Sequence, residues 1–282
     1  MGSDPTAARG SRRRLIVNAD DFGRSASINS AVIRAHRDGV LTTASLMINE
    51  SACQEAVALA KANPSLGVGL HLTLLCGHSA LPAASIPGLV NSRNEFTDNS
   101  TVAGLRYFFD TRLRGQLRDE IHAQFQRFRS TGLPLDHLNG HLHLHLHPVI
   151  FHILMSDAEQ LGIKRVRLTC DPFWLNLRLA SGKLFYRTSH TLVFHTLAAL
   201  ARSELNRRGY RHTERVFGLL QNARVNEEYV YRLLRRLPEG DSELYSHPSL
   251  DEFKEEFEAL VSPRVRQQIE NLGIELIRYQ DL

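Results

Sequence analysis

The feature that most constrains this chain is a largely apolar run that ends in two adjacent carboxylates. Residues 15–19 (LIVNA) have the composition of a buried strand, and Asp20 and Asp21 follow where that strand should end. Neighbouring carboxylates repel each other and lose hydration on burial, so a buried pair needs a positive partner. The stretch therefore indicates a bound cation, although a surface turn with two solvated aspartates would explain it equally well.

Further along the chain, strand and helix patterns alternate in the manner of parallel βα units. Strands are predicted at 40–48, 66–75, 135–140, 164–169, 215–220, 242–246 and 274–279. This number of steps predicts one α/β domain over 14–282, an irregular (β/α) TIM-like barrel of the glycoside hydrolase and deacetylase type. Two largely helical insertions are expected near 77–112 and 172–212, and residues 1–13 are predicted to be a disordered lead or an expression remnant.

Polar residues collect where the predicted strands end, which is the edge that holds the active site in such barrels. One Asp and two His side chains around a divalent ion leave positions open for water and substrate, as in catalytic metal sites. We therefore predict that Asp21, His71 and His141 bind one divalent ion. This ligand set favours Zn²⁺ over the alternative, Mg²⁺, because Mg²⁺ prefers oxygen ligands.

The remaining polar residues suggest roles in hydrolysis of an amide. A water bound to the ion has a lowered pKa, and Asp20 could take its proton as general base. His247 is the candidate acid that protonates the leaving nitrogen, and Arg167 could orient Asp20. The candidate substrate-binding residues are His143, His145, Asn49 and Asp171.

Each of these residues also has a simpler interpretation. His71 could be a core histidine that bonds a backbone carbonyl, and Arg167 could form an ordinary ion pair. If residues 141–147 (HLHLHLH) are extended, their histidines point to one side with repeats of about 7 Å, so one ion cannot bind all four. Two other functions remain open: a glycoside hydrolase that uses Asp20 and Asp171, and a non-catalytic metal-binding protein that uses the histidine run.

Four motifs, NADDFG, GLHLTL, DHLNGHLHLH and LYSHP, occur in this order. Together they resemble the YdjC-like carbohydrate deacetylases, from about Arg14 to Leu282. The resemblance implies a barrel hydrolase that removes acetyl from an N-acetylated amino sugar, with the metal, base and acid positions given above. Asn139 stands where the family commonly has Asp, and Asp171 stands where it commonly has Glu.

Residues 103–110, 131–141 and 213–221 resemble one branch of that family, which is associated with hopanoid biosynthesis. This branch implies an N-acetylglucosaminyl hopanoid lipid as substrate, whereas the wider family implies soluble chito-oligosaccharides as the alternative. The stretch from Trp174 to Arg211 is apolar and basic, so it could lie on a membrane surface or pack on the barrel. The family also suggests a homodimer.

Composition places few further limits on function. The net charge of +4 is weak evidence for an anionic partner such as a membrane surface, and we predict no nucleic-acid partner. Three scattered cysteines form neither a disulfide framework nor a zinc-type spacing. We therefore expect a cytoplasmic protein, peripheral to the inner membrane if its substrate is a lipid.

Overall fold

A computed structural model describes residues 12–221 and 224–282. Most of the predicted disordered lead lies outside the described residues, and Arg13 already begins the first strand. Seven strands are present in the described ranges: β1 (Arg13–Phe22), β2 (Thr43–Leu46), β3 (Gly67–Leu72), β4 (Leu138–Gly140), β5 (Arg215–Phe217), β6 (Gly240–Ser246) and β7 (Glu275–Leu276). Most are shorter than predicted, because pairing covers only the centre of each apolar run.

All the strands pair in parallel and form one curled sheet. Its order is β4-β3-β2-β1-β6-β5, and β7 pairs with the start of β1. The segment predicted as a strand at 164–169 makes only isolated bridges, so that prediction is wrong. The segment nevertheless joins the two edge strands, β4 and β5. Leu138 N–H donates to the carbonyl oxygen of Arg165, and Val216 N–H donates to that of Cys170, directly after the segment. The predicted α/β class and irregular barrel are confirmed.

Helices cover the outside of the sheet. They are α1 (Ala26–Asp38), α2 (Cys53–Lys61), α3 (Ser100–Phe109), α4 (Leu113–Ser130), α5 (Pro148–Ser156), α6 (Ala158–Leu161), α7 (Phe173–Leu179), α8 (Leu184–Arg208), α9 (Glu227–Leu234), α10 (Lys254–Val261) and α11 (Pro263–Asn271). Ser25 caps α1 by accepting from Ile28 N–H at 3.2 Å, as its position before the helix predicts. Pro148 opens α5, where its missing N–H costs nothing.

The inside of the barrel is polar. Successive residues of a strand face opposite sides of the sheet, and in β1 the two sides differ in character. In β1, Leu15, Val17 and Ala19 pack into the main hydrophobic core. The residue between the first two, Ile16, packs instead with Ile277 and Tyr279. Asn18 lies on this inner side, where it donates to Asp20 at 2.8 Å and to Ser45 at 3.0 Å. The sheet therefore presents a polar network to its own interior.

The two predicted insertions supply three helices. The first contains short antiparallel bridges and α3, and the second contains α7 and α8. Ala198, Ala201 and Leu205 are the buried apolar residues by which α8 packs on the rest of the protein. Across the described ranges, no helix is both long enough and apolar enough to cross a membrane.

Candidate active site

Three side chains, carried by β1, by β3 and by the residue that follows β4, meet at one end of the barrel. Asp21 lies near the end of β1, His71 in β3, and His141 directly after β4. Oδ1 of Asp21 lies 3.0 Å from His141 Nδ1 and 3.4 Å from His71 Nε2. All three side chains are buried, and one ligand atom from each lies within 4.8 Å of the other two. The structure thus brings the three predicted ligands together.

The spacing of these atoms fits a metal ion. Zinc bonds of about 2.0–2.1 Å put neighbouring ligand atoms of a tetrahedral site about 3.4 Å apart. Burial alone would raise the pKa of Asp21, but His141 and His71 hold that pKa well below its ordinary value. The backbone of Asp21 has φ 64°, an uncommon conformation for a residue other than glycine. A carboxylate fixed in this way, beside two imidazoles, is a suitable donor set for a divalent cation.

Asn139 supports His71 from behind. Its amide lies 2.7 Å from His71 Nδ1. The opposite amide orientation places the nitrogen toward His71, and the oxygen then accepts from Ser45 and Arg167. The orientation of this amide therefore decides which nitrogen of His71 carries the proton, and a ligating Nε2 requires the amide oxygen to face Nδ1.

Beneath the ligands lies a buried ion cluster built on Arg167. Its guanidinium donates to both oxygens of Asp20, at 2.7 and 2.9 Å, and to Glu243 at 2.6 and 3.0 Å. Tyr279 donates its hydroxyl to the other oxygen of Glu243. Burial would raise the pKa of Asp20, but the charge and hydrogen bonds of Arg167 hold that pKa well below its ordinary value. Asp20 is therefore an ionised carboxylate whose two oxygens are both occupied.

A cavity of about 610 Å³ opens above the predicted ligands. Its polar lining consists of Asp21, Arg24, Cys76, Ser100, Thr101, His141, His143, His147, Tyr186, His190, Tyr245 and His247. Its apolar lining consists of Leu142, Leu144, Val193, Phe194, Leu197, Leu219 and Phe253. Asp21 and His141 of the predicted ligands form part of one wall, and side chains of α8 form another, so the second insertion completes the cavity.

Two further predicted residues line this cavity. His143 lies 2.9 Å from the hydroxyl of Tyr245, and burial lowers the pKa of His143 well below its ordinary value. His247 is partly exposed, and its backbone N–H donates to Glu256 at 2.6 Å. Both positions face the space in which a substrate would lie.

Three predicted substrate-binding residues do not line the cavity. His145 is fully buried and donates to the carbonyl oxygen of Arg167 at 2.9 Å. Asn49 donates to the carbonyl oxygen of His78, and Asp171 is buried against Asn176 and the backbone of Leu220. None of these three side chains faces the cavity, so the geometry gives no support to substrate contact at them.

The conformation of the histidine run explains the separation of His143 from His145. Residues His141–Leu146 form a 3₁₀ segment in which Leu142 and His143 have φ 48° and 59°. The histidine run is therefore not extended, and its four histidines do not all point to one side. The chain reverses between the histidines, which sends His145 below the cavity and leaves His143 at its wall.

Sequence reasoning missed three residues of this region. Arg24 donates to Asp21 at 2.9 Å, Glu243 anchors Arg167, and Tyr245 bonds His143. Glu243 and Tyr245 occupy alternate positions of the predicted strand at 242–246. That period-two pattern, with a carboxylate inside a buried strand, was the available signal.

The family model described as YdjC-like protein matches residues 14–271. The chain belongs to the YdjC-like family. This match covers β1 from Arg14 onward through α11, and it contains every residue of the cluster and cavity described above except Tyr279.

Several curated relatives match part of this YdjC-like chain. A carbohydrate deacetylase from Geobacillus stearothermophilus is 42% identical over 158 residues, which cover 55% of this chain and 60% of that protein. A chitooligosaccharide deacetylase from Proteus mirabilis is 37% identical over 152 residues, 52% of this chain and 55% of that protein. The chain thus matches somewhat over half the length of these relatives.

Among solved structures, the YdjC-like chain is similar to a protein from Enterococcus faecalis that is provisionally described as a cellobiose-phosphate cleavage protein. The TM-score is 0.74 at 23% identity, and the similarity covers 96% of this chain and 99% of the other. At this level of identity the likeness supports the fold alone.

Proposed function

We propose that this YdjC-like protein is a metal-dependent hydrolase that removes acetyl from an N-acetylglucosamine-containing substrate. The observation that supports it most strongly is the buried set of Asp21, His71 and His141, of which Asp21 and His141 line a cavity large enough for a sugar. The curated relatives described as carbohydrate and chitooligosaccharide deacetylases point to the same chemistry.

The proposed roles follow from position and charge. A divalent ion, with Zn²⁺ favoured by this ligand set and Mg²⁺ as the alternative, would supply Lewis acidity toward water and the acyl oxygen. Asp20 acts as general base, and Arg167 keeps it ionised throughout the neutral range. His247, on the cavity wall, protonates the leaving nitrogen.

The finer proposal is that the acetylated sugar is linked to a lipid, specifically a hopanoid. The branch motifs at 103–110, 131–141 and 213–221 support it. The cavity wall formed by Val193, Phe194 and Leu197 supports it as well, because the hydrocarbon of a lipid covers such a surface more fully than the acetyl methyls and ring C–H groups of a soluble oligosaccharide do. The homodimer and the cytoplasmic location stay predictions.

The alternative of a two-carboxylate glycoside hydrolase has little geometric support. Asp171 does not line the cavity, and its two oxygens accept from Asn176 and from the backbone N–H of Leu220. Such a mechanism needs two accessible carboxyl groups that flank one bond. The non-catalytic alternative predicts metal binding by the histidine run, whereas the structure directs His145 away from the other ligands.

Acetate release tests the proposal directly. The protein is treated with a chelator and then assayed on an N-acetylglucosaminyl hopanoid and on N,N′-diacetylchitobiose, with and without added Zn²⁺ or Mg²⁺. Metal-dependent release from the lipid supports both the chemistry and the finer substrate, and release from chitobiose alone removes the lipid link. Metal-independent release, or no release from either substrate by the metal-loaded protein, contradicts the proposal.

A further inference from the structure

The exposed apolar residues of this protein are concentrated on three segments. Within the described ranges, all eleven large apolar side chains that are exposed lie on α3, on Leu142, or on α7 and α8. The α3 members are Val102, Leu105, Phe108 and Phe109. Soluble proteins normally scatter such residues singly, so a concentration of them marks an interaction surface.

The second insertion exposes even larger side chains. Trp174 of α7 is 75% exposed, and Phe185 of α8 is 88% exposed. Phe185, Leu192 and Leu200 are seven or eight residues apart, which places them along one side of the long helix. Together with the α3 residues and Leu142, the exposed apolar residues of α7 and α8 form what we call the apolar rim.

Part of the apolar rim borders the cavity. Leu142 and Val193 are each about half exposed, and both also line the cavity. Thr101 lines the cavity from α3, and Tyr186 lines it beside the exposed Phe185. Leu142 and the helices α3 and α8, which carry most of the apolar rim, therefore all contribute to the wall of the cavity.

The surroundings of the apolar rim are predominantly basic. Residues 99–109 and 172–203 contain no aspartate and no glutamate, although the exposed Asp98 and the partly exposed Asp110 flank the first stretch. The same stretches carry the exposed basic residues Arg106, Arg178 and Lys183. Aromatic and aliphatic side chains next to mainly basic ones are typical of helices that lie in the interface of an anionic bilayer.

We infer that the apolar rim docks the mouth of the cavity onto an anionic phospholipid surface. The docked protein receives its substrate from the bilayer and remains peripheral, since no helix of the described ranges can cross a membrane. A second copy of the chain is the weaker occupant, because it would cover the entrance and bring two sets of basic residues together. This inference deepens the proposed function, on which it rests for the identity of the substrate.

Vesicle binding tests the inference without any assay of activity. The full-length protein is sedimented with phosphatidylglycerol vesicles and with phosphatidylcholine vesicles. The variant Phe109→Ser/Phe185→Ser removes two exposed aromatic rings, whereas Phe109→Leu/Phe185→Leu keeps both positions apolar. We expect binding to phosphatidylglycerol only, a loss of roughly tenfold or more in the serine variant, and binding near that of the parent protein in the leucine variant.

The outcomes separate this inference from the proposed function. Equal sedimentation of the serine variant and the parent protein, or no sedimentation of either, overturns the inference even if acetate release succeeds. Vesicle binding that depends on the aromatic rings supports the inference even if acetate release fails. A dimer of the parent protein that the serine variant dissociates, without vesicle binding, would assign the apolar rim to self-association and overturn the inference.

Discussion

Arg167 donates two hydrogen bonds to the carboxylate of Asp20, at 2.7 and 2.9 Å, and both side chains are almost completely shielded from solvent. Such a bidentate contact fixes both the charge and the orientation of the carboxylate. Asp21 is the next residue along β1, so the pair lies directly beside the candidate ligand. Arg167 therefore links the charged interior of the barrel to the candidate metal centre.

Asp20→Asn should abolish turnover while leaving metal binding intact. The substitution removes the proposed base but keeps Asp21, His71 and His141, and loss of a general base costs roughly 10²–10⁴-fold in rate. Acetate release and the zinc content after dialysis measure the two effects. Asp119→Asn, at an exposed carboxylate of α4, is the matched control and should change neither. Full activity in Asp20→Asn would show that another group accepts the proton.

His141→Ala should weaken metal binding more than loss of a supporting residue does. Removal of a residue that orients a ligand costs roughly 10–100-fold in affinity, which is the effect we expect for Asn139→Ala behind His71. Competition with a zinc chelator measures the dissociation constant for zinc of each variant. His152→Ala, at an exposed histidine of α5, serves as the control. An unchanged constant in His141→Ala would remove this residue from the ligand set.

The ligand set could be predicted from sequence because parallel strands end at one edge of a sheet. A strand that carries a histidine near its end places that histidine at this edge, whatever the rest of the fold does. The position of His145 could not be predicted in this way, because it depends on the left-handed backbone of Leu142 and His143. Those two residues have no sequence feature, such as glycine or asparagine, that signals the conformation.

The charged interior was predicted only in part, for a different physical reason. The sequence predicts the contact between Arg167 and Asp20. It does not predict the contact with Glu243, which comes from β6, on the side of β1 away from β2. A buried ion cluster depends on segments that are distant in sequence, and periodicity within one strand does not show which charges meet. The same limit applies to α8, whose apolar residues were recognised although their place beside the cavity was not.

Glu243→Gln should destabilise the fold far more than an equivalent change at the surface. Glu243 is fully buried and accepts from Arg167 and Tyr279, so its loss leaves part of a buried guanidinium charge uncompensated. Breaking a buried pair in this way costs roughly 3–5 kcal/mol. Glu228→Gln breaks an exposed pair with Arg232 on α9 and should cost less than about 1 kcal/mol. Urea unfolding measures the difference, and equal costs would argue against a structural role for the cluster.

His145 should make the fold less stable as the pH falls below neutrality. Burial, together with the charge of Arg167, lowers the pKa of His145 to about 3. The folded protein keeps this imidazole neutral, whereas the unfolded chain protonates it below about pH 6.5. Between these values the unfolded state binds more protons, so the free energy of unfolding falls by about 3 kcal/mol from pH 7 to pH 4 through this group alone.

Comparison with His145→Gln isolates this contribution from the other titrating groups. A glutamine amide can still donate to the carbonyl oxygen of Arg167 but does not titrate. Urea unfolding of both proteins at neutral and acidic pH should therefore show a smaller loss in the variant, by about 3 kcal/mol at pH 4. His152→Gln, at an exposed position, should lose as much unfolding free energy on acidification as the parent protein does. A variant that loses as much stability as the parent would mean that His145 becomes charged inside the fold.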